Sequence, residues 1–301
     1  MNTQTILNSR ASTEIVLFLS RLLPPAIGYR FSNHIANRFL AHQSQSSYKA
    51  LRANQWVVSN GKLTSNELDK ITKRTVQNTA NCLYDYYHNL RKPKKSINMV
   101  EFSPKFQEYM EKIHVGNEGT LFVAPHLSNF DLCMRSAAQQ GLRIQALSYP
   151  EPPAGYKLQN RLRREVGIDI TPISMSTMHQ AIERLRNGGA VMTGVDRPYA
   201  DAKYKPLFFG KPALLSDFHV RIALRVKIPI IVLAAKSLPG HRYRIQASDP
   251  IHMKTFSDRE KEYIYNLEAV LEVVAEYIRQ APEEWSMYYP VWPQAIFDMP
   301  M

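Results

Sequence analysis

Thr120-Leu121-Phe122-Val123-Ala124-Pro125-His126-Leu127-Ser128-Asn129-Phe130-Asp131 is the stretch from which the rest of this chain is best read. Its apolar start reads as a buried strand, and Leu132 to Gln140 beyond it reads as a helix. A histidine leaves the end of the strand, and an aspartate sits five residues on, in the first helical turn. A strand-to-helix turn brings residue i+5 back beside residue i. Asp131 is therefore expected to accept a hydrogen bond from one nitrogen of His126, leaving the other basic and outward-facing. The plainer alternative is a chance spacing, with Ser128 or Asn129 capping the helix and Asp131 favouring its dipole.

Outward from this stretch the pattern alternates. Strands are expected at 120–125, 143–149, 168–173, 190–195 and 228–235, with helices at 129–140, 155–166, 176–187 and 216–226. Tyr243 to Ala247 adds a possible further strand, and an amphipathic helix spans about 258–280. Such alternation predicts an α/β fold with a largely parallel central sheet, helices on both faces. The part upstream is helical. Residues 1–10 are expected to be disordered. An apolar helix over 13–23 stops at Pro24-Pro25, and a second at 27–42 spaces Ile27, Phe31, Ile35 and Phe39 by four. That stripe suits either a lipid interface or the protein's own sheet. Helix follows over 45–60, and Thr64 with Glu67 forms a capping-box signature for a helix reaching Leu90. The expected division is a helical region at 1–95 and an α/β core with a C-terminal helix at 96–301.

Composition narrows the function. The 301 residues carry a net charge of +12, and 45% are hydrophobic. Such a surface favours anionic membrane, nucleic acid, or acidic ligands such as CoA phosphates and acidic carrier proteins. Two cysteines, Cys82 and Cys133, form neither a disulfide framework nor a zinc pattern. No apolar run approaches the roughly 20 residues of a membrane-spanning helix, so any membrane contact is expected to be peripheral. A phosphate-binding loop, a dinucleotide fingerprint and a Gly-x-Ser-x-Gly elbow are all missing, and the other histidines lack metal-ligand spacing.

Three further constellations stand out. Gly194-Val195-Asp196-Arg197-Pro198 ends the strand begun at Ala190, on the same rim as His126. Asp196 could orient the imidazole, bind an acceptor or pair with Arg197, and Arg197 could hold a phosphate. Lys205-Pro206-Leu207-Phe208-Phe209-Gly210-Lys211-Pro212 suggests a loop over that rim. There Phe208 and Phe209 could line an acyl channel and Gly210 could admit a ligand; two core aromatics beside a turn fit as well. Lys157, Arg161, Arg163 and Arg164 make a basic helix. Arg91-Lys92-Pro93-Lys94-Lys95 makes a basic linker, either solvated or touching headgroups.

Together these blocks resemble the lysophospholipid acyltransferase superfamily, above all its bacterial branch of lipid A lauroyl and myristoyl transferases and phosphatidylinositol mannoside acyltransferases. The match is carried by His126 and Asp131, by residues 194–198, by Phe208-Phe209-Gly210-Lys211-Pro212 and by Ile228-Pro229-Ile230-Ile231-Val232. Two features depart from it. The membrane-spanning helix that usually opens lipid A acyltransferases is missing, which tilts toward the mannoside-type or a related lipid enzyme. Pro150 also follows Tyr149 where many relatives have an arginine, so that positive group is absent or is supplied by Arg163 or Arg164. The resemblance implies direct transfer of a fatty acyl chain from acyl-CoA or acyl-carrier protein to a hydroxyl of a lysophospholipid or glycolipid. His126, Asp131 and Asp196 would be catalytic, and Ser128, Asn129, Arg164, Arg197, Phe208, Phe209 and Gly210 would bind substrate. Neither cofactor nor metal is implied. The expected place is the cytoplasmic face of the cell membrane, on an anionic surface, with no nucleic-acid partner. The alternatives are a non-catalytic basic protein on anionic lipid or nucleic acid, and a related acyl thioesterase.

Overall fold

The computed structural model describes residues 10–150 and 154–300; the expectation for residues 1–9 lies outside them. Among the described residues four helices come first, α1 (Arg10–Leu22), α2 (Pro25–Leu40), α3 (Ser46–Val58) and α4 (Ser65–Asn89). Pro24-Pro25 separates the first two, with Pro25 at the first position of α2, where a missing N–H costs nothing. The Thr64–Glu67 capping box forms as expected and opens α4. A short helix α5 (Pro93–Asn98), a strand β1 (Val100–Phe102) and a helix α6 (Pro104–Val115) lead into the core. None of these three was expected: the strand is three residues long, too short for a period to register.

The alternating part is close to expectation. Strand β2 (Thr120–Ala124) is followed by α7 (Phe130–Gln139), β3 (Ile144–Ser148), α8 (Ala154–Arg164), β4 (Asp169–Pro172), α9 (Met175–Arg186) and β5 (Ala190–Gly194). A two-strand hairpin, β6 (Leu207–Phe208) and β7 (Lys211–Pro212), precedes α10 (Phe218–Val226), β8 (Ile230–Leu238), β9 (Arg242–Ala247) and the long α11 (Arg259–Gln280). The seven-stranded sheet has the order β1-β9-β8-β2-β5-β3-β4, parallel except where β9 pairs antiparallel to β8.

Alternation along the strands divides the core in two. Leu121, Val123, Val191 and Val232 face α9, α10 and α11, while Phe122, Ala124, Ala146 and Ile231 face α7 and α8. Helix α11 buries Leu267, Val270, Leu271, Val274 and Ile278 on the first face, each worth about 1.5–3 kcal/mol. The N-terminal helices join both faces, Ala53 and Val57 on one, Leu17, Tyr86 and Tyr87 on the other.

Of the two settings open to the stripe on α2, the sheet is not the one found. Its buried residues are Gly28, Ser32 and Ala36, which let it lie close against α4. A Cβ on Gly28 would fall 2.1 Å from the Tyr84 ring, and Ser32 Oγ donates to Asn81 at 2.6 Å. The larger stripe is turned away from the sheet: Ile27 is exposed, Phe31 and Ile35 are half-buried, and Phe39 meets Tyr288 edge-on. Ile15, Phe18 and Leu22 of α1 are exposed as well, so both helices present apolar side chains to solvent.

Candidate active site

A pairing of His126 with Asp196 is built by strand register. In the parallel pair β2–β5, Ala124 stands opposite Gly194, so His126 and Asp196 each lie two residues past the ends of adjacent strands, where open sheets take ligands. His126 Nδ1 lies 2.7 Å from Asp196 Oδ1, and the backbone N–H of His126 donates to Oδ2 of the same carboxylate at 2.7 Å. The indole N–H of Trp285 donates to Oδ2 as well, also at 2.7 Å. Asp196 is fully buried. Burial alone would raise its pKa, but His126 and these donors together hold it below the usual carboxylate range. Burial works to lower the His126 pKa; the Asp196 charge and hydrogen bond outweigh it and leave it above 6.5. A carboxylate can only accept here, so the ring proton sits on Nδ1 and Nε2 keeps its lone pair. The imidazole is 37% exposed and lines the cavity.

The loop that carries His126 is pinned from both ends. Ser128 takes a left-handed φ of 53°, a conformation uncommon outside glycine. Its N–H donates to Glu284 O at 2.9 Å and its hydroxyl lies 2.9 Å from that of Ser237. Ser286 N donates back to His126 O at 2.9 Å. Asn129 caps α7 by accepting from Leu132 N, and its amide donates to Cys82 O. The N–H groups of Asn129, Phe130 and Asp131 have no acceptor among the described residues.

A cavity of about 450 Å³ opens here and extends along the sheet face under α7 and α8, over Ala124, Ala146, Ile170 and Met192. Two arginines enter its wall. Arg163 is held by Asp131 at 2.7 Å and by Asn160 at 2.9 Å. Arg197 has no carboxylate partner among the described residues. Its guanidinium instead sits over the rings of Tyr289, Tyr149 and Tyr156, at 4.0, 4.7 and 5.2 Å from their centroids. Among the described residues no three His, Cys, Asp or Glu side chains are grouped to hold a metal ion.

The model of the bacterial lipid A biosynthesis acyltransferase family matches residues 12–294 of the chain. The chain belongs to that family. It is an acyltransferase of lipid biosynthesis. No curated protein matches the sequence. Among solved structures, the 1-acyl-sn-glycerophosphate acyltransferase PlsC from Thermotoga maritima is similar at 16% identity and a TM-score of 0.36, covering 82% of this chain and 97% of that one.

Within this acyltransferase, the residues singled out in the sequence separate into two groups. His126, Ser128, Asn129, Asp131 and Arg197 line the cavity, and Asp196 lies directly behind His126. Asp131 is not the partner of the imidazole: as the second residue of α7 it points to Arg163 on α8, and Asp196 takes its expected place. Arg164 stands outside the cavity, donating to Ile170 O at 2.7 Å; Arg163 is the basic residue that reaches the wall. Phe208 and Phe209 do not line the cavity. They are buried against Trp285 and Trp292, at a two-residue turn where Phe209 and Gly210 both have positive φ, 50° and 72°. That turn closes a hairpin with the twist its strands require. It explains Gly210, where a Cβ would meet nothing within 4 Å. Trp285 escaped sequence reasoning, because no local pattern links a tryptophan in an aromatic tail to an aspartate 89 residues away.

Proposed function

We propose that this acyltransferase moves a fatty acyl chain from an acyl-CoA or acyl-carrier-protein thioester to a hydroxyl of a lysophospholipid or glycolipid, with His126 as general base and Asp196 as the group that orients it. One observation carries this reading: an imidazole with Nδ1 committed to a buried carboxylate and its other nitrogen available in a mostly apolar cavity at the strand ends. Nε2 takes the proton of the acceptor hydroxyl as its oxygen attacks the thioester carbonyl. The tetrahedral oxyanion is met by the free N–H groups of Asn129, Phe130 and Asp131 at the start of α7, where the helix dipole also favours negative charge. As the C–S bond breaks, the imidazolium returns the proton to the leaving thiolate. A thioester is activated enough for this direct route, with no acyl-enzyme.

The acyl chain lies over Ala124, Ala146, Ile170 and Met192. Arg197, its charge unneutralised by any carboxylate among the described residues, holds an anionic group of donor or acceptor, and Asp131 serves by fixing Arg163 in the wall. Among the described residues no helix is long and apolar enough to cross a membrane. Ile15, Phe18, Leu22 and Ile27, each more than half exposed, suit shallow insertion into the cytoplasmic leaflet.

The test is thiol release from palmitoyl-CoA, with and without a mixed lipid extract, for wild type and His126→Ala. Release that needs both lipid and His126, with a loss of about 10²–10⁴ in the variant, supports acyl transfer, and the acylated lipid names the acceptor. Release without lipid would make it a thioesterase. Full activity in folded His126→Ala removes the base from the mechanism. If CoA thioesters are inert, the same comparison is run with acyl-carrier protein.

A further inference from the structure

Four arginines from four segments meet at the junction of α1, α4, α7 and α8, apart from the cavity. Arg135 of α7 is 6% exposed and its guanidinium bridges two helices, donating to Leu90 O at 2.7 Å and to Leu162 O at 3.2 Å. Those carbonyls adjoin Arg91 at the end of α4 and Arg161 on α8, both exposed. Arg21, in the last turn of α1, is brought to the same place by the bond of His88 Nδ1 to Ser20 O at 2.8 Å. Lys92 adds a further charge, 2.8 Å from His88 Nε2. Arg21, Arg91 and Arg161 form no ion pair within 4 Å among the described residues, and the buried Nε atoms of Arg21 and Arg135 have no acceptor. Burial and the charges of Arg91, Arg135 and Arg161 lower the Arg21 pKa, and Glu165 offsets this in part. Like charges gathered this way are costly unless an anion joins them.

We propose that this junction is a binding site for the anionic phosphate headgroup of a membrane lipid. Guanidinium forks match phosphate oxygens two at a time. The lipid source follows from what lies beside them: Phe18 and Leu22, 61% and 64% exposed, flank Arg21 on α1 and would meet the acyl chains. The site is not the catalytic one. Arg161 and the cavity residue Arg163 are two residues apart on α8, and so on opposite sides of it. It seats the enzyme on the bilayer with α8 between headgroup and cavity. The proposal rests on reading the α1–α2 face as the one that meets the membrane, and the test separates the two.

The experiment measures binding of the full chain to phosphatidylcholine vesicles with and without phosphatidylglycerol. Arg91→Gln with Arg161→Gln is compared with an equal-charge control, Lys112→Gln with Arg225→Gln, all four positions being exposed. The arginine pair is expected to weaken binding to the anionic vesicles about twentyfold, the control pair far less, and neither to matter on phosphatidylcholine alone. Equal losses in the two pairs would overturn the site. A third variant, Phe18→Asp, reports on the membrane face itself: loss there with equal losses in the two pairs removes the site and leaves the face. The Arg21 Nε–H signal is then followed on adding soluble dihexanoyl-phosphatidylglycerol or inorganic phosphate alone. A shift with the lipid only supports the proposal; an equal shift with phosphate overturns the lipid as its source.

Discussion

Asp196 receives three donors, two from His126 and one from Trp285, and each leaves a measurable trace. As the proposed base His126 must be neutral, so transfer is expected to rise with pH through its pKa, which Asp196 holds above the ordinary histidine value. Asp196→Asn removes the charge that holds that pKa up. The acid limb of kcat/KM is expected to move to lower pH while the maximal rate falls about 10²–10⁴-fold, since the tautomer is no longer fixed. Trp285→Phe acts in the opposite sense. The carboxylate loses a donor and its charge concentrates toward Nδ1, so the acid limb is expected to move to higher pH. The kcat/KM profile against pH checks both, and three coincident acid limbs would contradict the assignment of Asp196. The histidine was legible in the sequence; its partner was only one option there. Asp131 lies five residues away and invites a local pairing, whereas the Asp196 contact depends on the register of β2 against β5, which no local pattern encodes.

Among the elements, the seating of α2 is the most exposed to test. Its contact with α4 is made through Gly28, Ser32 and Ala36. It is reinforced by Tyr29 Oη donating to buried Asp85 at 2.5 Å and Tyr84 Oη donating to Leu23 O at 2.9 Å. Gly28→Val forces a branched side chain into the Tyr84 ring and is expected to lower stability by about 1–3 kcal/mol, read as a lower urea midpoint. An unchanged midpoint would mean that α2 does not pack there. Thr64→Ala removes one half of an exposed capping box and is expected to cost about 1 kcal/mol, measured the same way. The cap was visible in the sequence because it is a local exchange of bonds over four residues. The facing of α2 was not, because two stripes with four-residue spacing lie side by side on it, and periodicity alone does not say which one a neighbouring helix will cover.

At the scale of the whole molecule, the proposed membrane contact combines a charge of +12 with the apolar face of α1 and α2. Phe18→Asp is expected to weaken binding to anionic vesicles about tenfold or more, and added salt to weaken the wild type further as surface charge is screened; vesicle sedimentation at two ionic strengths checks both. Unaltered binding in Phe18→Asp would place the contact elsewhere. From the sequence alone came the α/β alternation, most of the strands and helices, the family and the position of His126, since these rest on periodicity, turn residues and spacings within a short span of chain. Tertiary structure alone decided which carboxylate meets the imidazole, that Asp131 holds Arg163, and that Phe208 and Phe209 pack around Trp285 instead of lining the cavity. It also decided which face of α2 is buried. Each of these is a contact between segments distant in the chain, set by strand register and by how helices of given side-chain size can approach.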